Sequence, residues 1–322
     1  MIPTVVVAGS LNMDFVVSVE RLPAPGETVL GRDFQMIPGG KGANQACAAG
    51  KVGSGSVAVR MIGRVGYDVF ADHLKASLAA AGVDVSAVHA SKSHATGVAL
   101  IWVDRKGQNS IVVASGANYA LAAADVEAMR KVFRGASLAL FQLETPLDTV
   151  LAALALAREE GLRTILDPAP AQALPAELLE RVDILTPNES EALILLGRPP
   201  ARLTTEEAPE MSEALRRLGP RSVVLKLGEA GSYYAGEGRS FYTPAFEVDV
   251  RDSTAAGDTF NAALAVALAE EQGIESALEF ANAAAAISVT RMGAQASAPT
   301  RAEVDQLLGQ RRALPRRGLR SY

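Results

Sequence analysis

Cysteine is almost missing from this 322-residue chain: Cys47 is the only one. No intrachain disulfide can form, and a reducing compartment fits. Cys47 lies in the small-residue stretch 44–49, Asn-Gln-Ala-Cys-Ala-Ala, where a buried structural thiol is expected rather than a nucleophile. Histidine is scarce as well. His73, His89 and His94 show no metal-ligand spacing, which argues against a His/Cys metal centre. No Gly-x-Ser-x-Gly elbow follows a strand, so the hydrolase signature is missing. Long apolar runs are absent too. Val5-Val6-Val7-Ala8 is too short for a secretory core, Asn12 and Asp14 follow quickly, and nothing is long enough to span a membrane. Neither sign of charge dominates: 31 Lys and Arg face 36 Asp and Glu, net −5, which excludes a general nucleic-acid surface. The exception is the basic stretch from Gln310 to Arg320. It lacks apolar periodicity, and residues 311–322 are expected to be a solvated, mobile tail. The chain is expected to be soluble and cytoplasmic.

What is present is a hydrophobic share of 49%, enough for a large core. Short β-rich apolar runs alternate with longer helical patterns. Strands are expected at Thr4 to Ala8, Val57 to Ile62, Ser137 to Gln142, Thr164 to Asp167, Asp183 to Thr186 and Ser222 to Leu227. Helices are expected at Gly42 to Lys51, Ala71 to Ala81, Leu147 to Glu160, Glu189 to Leu196, Glu206 to Leu218, Thr259 to Glu271 and Ile274 to Val289. This alternation predicts an α/β fold: a mostly parallel central sheet with helices on both faces. Two regions break the rhythm. Phe15 to Gln35 and Thr96 to Val113 alternate apolar and polar residues around turn-rich segments. They predict a small inserted β-sheet lid, near 13–38 and 96–114, on one domain spanning 1–310.

Four constellations carry chemistry. In Asp252-Ser253-Thr254-Ala255-Ala256-Gly257-Asp258-Thr259-Phe260-Asn261, small residues run into an acid at the start of a helix. Exposed N–H groups there bind phosphate or an oxyanion, and an adjacent carboxylate suits general-base work; an ordinary capped junction is the alternative. In Gly39-Gly40-Lys41-Gly42-Ala43-Asn44-Gln45, glycines permit close backbone approach beside the donors of Lys41 and Asn44. Gly42 stands where a Walker A loop needs Ser or Thr. Asn12 and Asp14 come just after the first strand, where ligands bind in open α/β sheets, and their i, i+2 spacing puts them on one face. They suit sugar hydroxyls, or plain turn chemistry. Asn188 and Glu191, within Thr186-Pro187-Asn188-Glu189-Ser190-Glu191, could hold Mg²⁺ waters or cap a helix. Lys226-Leu227-Gly228-Glu229-Ala230-Gly231 adds another Gly-bearing loop after a strand. Gly53-Ser54-Gly55-Ser56-Val57-Ala58 matches a dinucleotide loop, but comes after a helix and opens a strand, so it is rejected.

Residues 39–45, 186–191, 252–261 and Thr290-Arg291-Met292-Gly293-Ala294-Gln295, in this order, resemble the PfkB group of carbohydrate kinases. The likeness runs from Val5 to about Leu308. Gly9-Ser10-Leu11-Asn12-Met13-Asp14 and the 39–45 motif point to its ribokinase branch. The resemblance implies transfer of the γ-phosphate of ATP to the 5-hydroxyl of D-ribose. It implies that Asn12, Asp14, Gly40, Lys41, Asn44 and Glu144 hold the sugar. Asp258 would be the general base, and the N–H groups of Ala255, Ala256 and Gly257 the anion hole. Asn188 and Glu191 would serve a Mg²⁺–phosphate network. Lys226, Gly228 and Gly231 would line the nucleotide, with Asn282 near adenine. Family members often carry a small hydroxyl residue where Lys226 stands; its ammonium either meets a phosphate or points away. Asp252, Thr254, Ser288, Gly293 and Ser297 match a K⁺ site. Lids of two subunits would pair into a homodimer. The alternatives are 2-deoxyribose, another furanose or a nucleoside as substrate, a non-catalytic sugar- or nucleotide-binding regulator, and a hydride-transfer enzyme resting only on the decoy at Gly53.

Overall fold

A computed structural model describes residues 2–105 and 108–313. The chain opens with β1 (Thr4–Ala8), β2 (Asn12–Val19), β3 (Gly31–Gly39) and α1 (Lys41–Val52). It continues through β4 (Ala58–Gly66), α2 (Val69–Ala80), β5 (Val83–Ser91), β6 (Gly97–Val103) and β7 (Asn109–Ala114). The middle holds α3 (Ala123–Ala128), α4 (Arg130–Phe133), β8 (Leu138–Phe141), α5 (Leu147–Glu159), β9 (Arg163–Leu166), α6 (Ala176–Leu179) and β10 (Ile184–Leu185). Then come α7 (Glu189–Leu195), α8 (Ala208–Arg216), β11 (Ser222–Lys226), β12 (Ser232–Gly236) and β13 (Arg239–Thr243). The last helices are α9 (Ala256–Ala269), α10 (Ile274–Ser288) and α11 (Arg301–Ala313).

Among the described residues the strands form two sheets. The larger has nine strands in the order β13-β12-β11-β10-β9-β8-β1-β4-β5. It is parallel from β5 to β11 and ends in the antiparallel pairs β11–β12 and β12–β13. The side-chain alternation of β1 explains the two helical layers. Val5 and Val7 enter a core with α1, α2, α9 and α10, whereas Val6 and Ala8 enter a second core with α5, α7 and α8. A strand buried on both faces must read as a continuous apolar run, as Val5-Val6-Val7-Ala8 does. Because β1 is flanked by β4 on one side and β8 on the other, the direction of winding reverses there. That switch point opens a crevice at the carboxyl ends of the strands.

The smaller sheet has the order β3-β2-β6-β7. Two hairpins, β2–β3 and β6–β7, are joined by a parallel β2–β6 pairing from Asn12 opposite Gly97 to Ser18 opposite Val103. The separate sheet expected from the broken rhythm is present. Its parallel seam is a long-range pairing that neither hairpin's local sequence encodes.

Several elements went unread in the sequence. Strand β5 is an edge strand with a broken burial pattern, and β13 is largely exposed, so neither shows an apolar run. Helix α11 extends to Ala313, past the boundary expected at 310. The rest of the basic tail, from residue 314, lies outside the described residues. The Gly53–Ala58 decoy does lie between the end of α1 and the start of β4. No helix among the described residues is long and apolar enough to cross a membrane.

Candidate active site

The crevice is lined by the segments that leave the parallel strands. Gly9 to Asn12 leave β1, Gln142 to Glu144 leave β8, Asp167 leaves β9, and Thr186 to Asn188 leave β10. Helix α1 drops its N-terminus directly onto the turn after β1. A Cβ on Gly42 would stand 2.6 Å from both the Gly9 carbonyl carbon and the Ser10 nitrogen, so only glycine permits this approach. Gly40 precedes the helix with φ +89°, a conformation costly for other residues. The approach carries Lys41, Asn44 and Gln45 into the crevice.

Asp258 lies in the first turn of α9 and is 6% exposed. Asn44 Nδ2 donates to one carboxylate oxygen at 3.1 Å, and Gln45 Nε2 donates to the other at 2.9 Å. Burial pushes the Asp258 carboxyl up to about 6, with Lys41 opposing and Asp167 adding to the rise. Such a group is ionised at neutral pH yet close enough to it to accept a proton. Asn44 Oδ1 is buried and makes no hydrogen bond among the described residues, leaving an acceptor open beside this carboxylate.

The loop that enters α9 has the geometry of an anion site. Ala255 caps the helix with φ +57°, in the left-handed region. Ala256 N–H donates to the Ser253 carbonyl at 3.2 Å. The Gly257 and Asp258 N–H groups lie in the first turn, where an α-helix supplies no intrahelical acceptor. Lys226, from the end of β11, reaches this turn: its Nζ lies 3.4 Å from where a Cβ on Gly257 would be. The ammonium therefore points into the site. It is paired with Asp167 at 2.9 Å. Gln45 Nε2 also donates to Asp167 at 2.9 Å, so one amide bridges two carboxylates. Gln142 Nε2 donates to Gln45 Oε1 at 2.6 Å and fixes that amide.

On the lid side, Asp14 lies within reach of the Glu144 charge. Burial, then the charge of Glu144, pushes the Asp14 carboxyl up to about 7. Its carboxylate sits over Gly39, where a Cβ would come within 2.1 Å of Oδ2. Glu144 accepts from the Lys41 backbone N–H at 3.0 Å and from the Ser10 hydroxyl. Burial disfavours the charged Lys41 side chain, but Asp258, Asp167, Glu144 and Glu191 outweigh it and raise its pKa. Asn12 is buried, and its Oδ1 accepts from Asn118 Nδ2 at 2.7 Å. Asn118 also accepts from the Leu11 N–H at 2.9 Å.

Asn188 and Glu191 meet as a capping box on α7: Glu191 N–H donates to Asn188 Oδ1 at 2.8 Å, and Asn188 N–H to Glu191 Oε2 at 2.7 Å. Sequence alone left a cap and a metal network as alternatives. The cap is present, and the Glu191 charge still acts on Lys41 and Lys226. Gly228 and Gly231 flank a short turn with φ +54° and +105°. Asn282 Nδ2 donates to Ser232 Oγ at 3.2 Å and to the Thr243 carbonyl at 3.1 Å, tying α10 to the β12–β13 hairpin.

Asp252 gathers the second loop. Its carboxylate accepts from the Thr254 N–H at 2.9 Å and the Gly293 N–H at 2.8 Å, and these bonds outweigh burial to lower its pKa. Ser288 and Ser297 hydroxyls donate to the Ala285 and Ala294 carbonyls. Lys51 Nζ donates to the Gln295 carbonyl at 2.7 Å. Asp252 ties the 252–254 segment to the loop at Gly293.

Asn118, Gln45, Gln142 and Asp167 had no role assigned from sequence. Gln45 lay inside a quoted motif. Asp167 ended an expected strand, where ligands bind in such sheets, and that position was the available signal. Asn118 carried none, because its partner lies 106 residues away.

The match to known proteins covers the same span as this machinery. The model of the pfkB family carbohydrate kinases matches residues 3–301. The ribokinase of Haemophilus influenzae is 41% identical, over 95% of this chain and 98% of that protein. The ribokinase of Bacillus subtilis is 43% identical, over 94% of this chain and 98% of that protein. The structure of Arabidopsis thaliana ribokinase complexed with ribose and ATP superposes with a TM-score of 0.89 at 35% identity, covering 96% of this chain and 99% of that one. Sequence and fold agree over nearly the whole length: the chain belongs to the pfkB family of carbohydrate kinases, which are phosphotransferases.

Proposed function

We propose that the chain transfers the γ-phosphoryl group of ATP to the 5-hydroxyl of D-ribose. The observation that carries this is Asp258, a buried carboxylate with a raised pKa, held by two amides in the first turn of α9 beside Lys41. Relatives at 41% and 43% identity over nearly their full length bear the name ribokinase, which supports ribose as the sugar. Asn12, Asp14, Gly40, Lys41, Asn44 and Glu144 hold its hydroxyls.

Asp258 accepts the proton of the attacking hydroxyl. The hydroxyl oxygen bonds to the γ-phosphorus as the bond from that phosphorus to the β,γ-bridging oxygen breaks, and the electron pair leaves with ADP. The N–H groups of Ala255, Ala256 and Gly257 form the anion hole, the Ala256 N–H exchanging its Ser253 carbonyl for the anion. Gly228, Gly231 and Lys226 line the nucleotide, and Asn282 fixes the hairpin beside adenine. Mg²⁺, when bound, would neutralise phosphate charge; Asn188 and Glu191, fixed by their capping box, would hold its water shell through the oxygens that the cap leaves over. Asp252, Thr254, Ser288, Gly293 and Ser297 would hold K⁺ beside the hole, several of them through backbone carbonyls. Such catalysis is positioning and charge neutralisation.

The test is ADP release with ATP, Mg²⁺ and K⁺ against D-ribose, 2-deoxyribose, fructose and adenosine. Ribose is expected to give the highest kcat/KM, and Na⁺ in place of K⁺ at fixed ionic strength a lower rate. Preference for another acceptor would move the substrate; absence of turnover on all four would remove the reading.

The second sheet closes over the sugar as a lid and excludes water. Its face opposite Asp14 is apolar and exposed: Phe34 is 59%, Met36 50% and Val112 56% accessible. A patch of this kind wants a partner, and a homodimer through the lid, in the cytoplasm, is our reading. Sedimentation at micromolar concentration is expected to show a dimer; a monomer would refute it.

A further inference from the structure

We infer that Asp167 is a positioning residue, holding the Lys226 ammonium over the N-terminus of α9 and competing with the nucleotide's terminal phosphates for it. The inference rests on the kinase reading, and deepens it by giving the site a built-in anion. Asp167 is 2% exposed in its side chain and Lys226 12%. A pair this buried is weakly favoured unless its remaining hydrogen-bonding capacity is used. On Asp167 it is: Oδ1 accepts from Lys226 and Oδ2 from Gln45, both at 2.9 Å.

The ammonium is not so placed. It stands 3.4 Å from the Cβ position of Gly257, at a helix terminus that is itself partly positive. Lys41, a second cation, opposes it from α1. Asp167 supplies the anion that keeps Lys226 there. A terminal phosphate at the open N–H groups would offer a better one. Lys226 has a flexible four-carbon stem and three donors, so it can turn. Asp167 cannot go with it, because Gln45 anchors it and Gln45 also holds Asp258. Asp167 thus touches no reacting atom. It sets where Lys226 waits and how Gln45 presents to Asp258.

Competition makes an unusual forecast. Titration of a non-hydrolysable ATP analogue into the full chain is followed by calorimetry, with EDTA present so that no divalent ion intervenes. Lys226→Met is expected to weaken the analogue about 10- to 100-fold, the scale of one charged hydrogen bond, and to leave adenosine unchanged. Asp167→Asn is expected to tighten the analogue about 3- to 10-fold, the scale of a relieved like-charge contact, while lowering kcat. The Asp167→Asn/Lys226→Met double variant, which buries neither charge, is expected to fold and to show no tightening. Tighter binding with slower turnover is not what loss of a merely structural residue produces. An Asp167→Asn chain that binds the analogue no more tightly than the unaltered chain would overturn the inference, as would tightening that survives in the double variant. Failure of the unaltered chain to turn over any sugar would strike the kinase reading instead, and the binding arm would still judge the pair.

Discussion

Asp258→Asn is expected to lower turnover by about 10²–10⁴-fold, the usual worth of a general base, with the fold intact. The amide has the carboxylate's shape but takes no proton. It also presents an NH₂ group to one of the two donors, Asn44 Nδ2 and Gln45 Nε2, that the carboxylate satisfies. Stability should not fall at neutral pH. The folded pKa of Asp258 is raised from 3.8 to about 6, so the stabilising contribution of the protonated form is complete below 3.8 and lost as pH rises through about 6. At pH 8 the ionised group is already a burden, which the amide removes. The unaltered chain should show kcat/KM for the sugar rising between about pH 6 and 7, as the base and then Asp14 ionise. Steady-state kinetics with thermal melting check all three. Turnover near that of the unaltered chain would take the base role from Asp258.

Asp14→Asn is expected to stabilise the chain and damage sugar binding together. Burial and Glu144 lift this carboxyl from 3.8 to about 7. The sign is the same as for Asp258: stability is lost as pH rises from 3.8 through about 7, so the full penalty stands at pH 8. At about 1.4 kcal/mol per unit, the relief from an amide is on the order of a few kcal/mol for this partly buried group. The Tm difference between variant and unaltered chain should therefore be largest at pH 8 and small near pH 4. The charged acceptor is lost at the same time, and the KM for ribose should rise about 10- to 100-fold, the worth of a hydrogen bond to a charged group. A variant less stable at pH 8, or an unchanged KM, would remove Asp14 from that role.

Local chemistry was legible without coordinates. The apolar run of β1, the Gly-rich entry to α1 and the small residues before Asp258 each predict an element and a donor set from neighbours in sequence. The fold class comes from the same source, because strands buried on both faces and crossover helices leave different periods. The smaller sheet was legible as a β lid built from two segments, but its parallel β2–β6 seam was not.

What sequence by itself determined here is the order of elements and the kinds of groups delivered to the carboxyl ends of the strands. Which atoms meet was decided by strand order. Asn44 reaches Asp258 across 214 residues, and Lys226 reaches Asp167 across 59. Whether Lys226 points into the site depends on β11 lying two strands from β9, with β10 between them. No local spacing records that adjacency. Asn188 and Glu191 show the converse: a local pattern fixed their cap, and only the packed sheet turned the Glu191 charge toward Lys41 and Lys226. The physical reason is range. Backbone preference and side-chain period act over a few residues, whereas a buried charge is set by whatever the fold brings within a few ångströms of it.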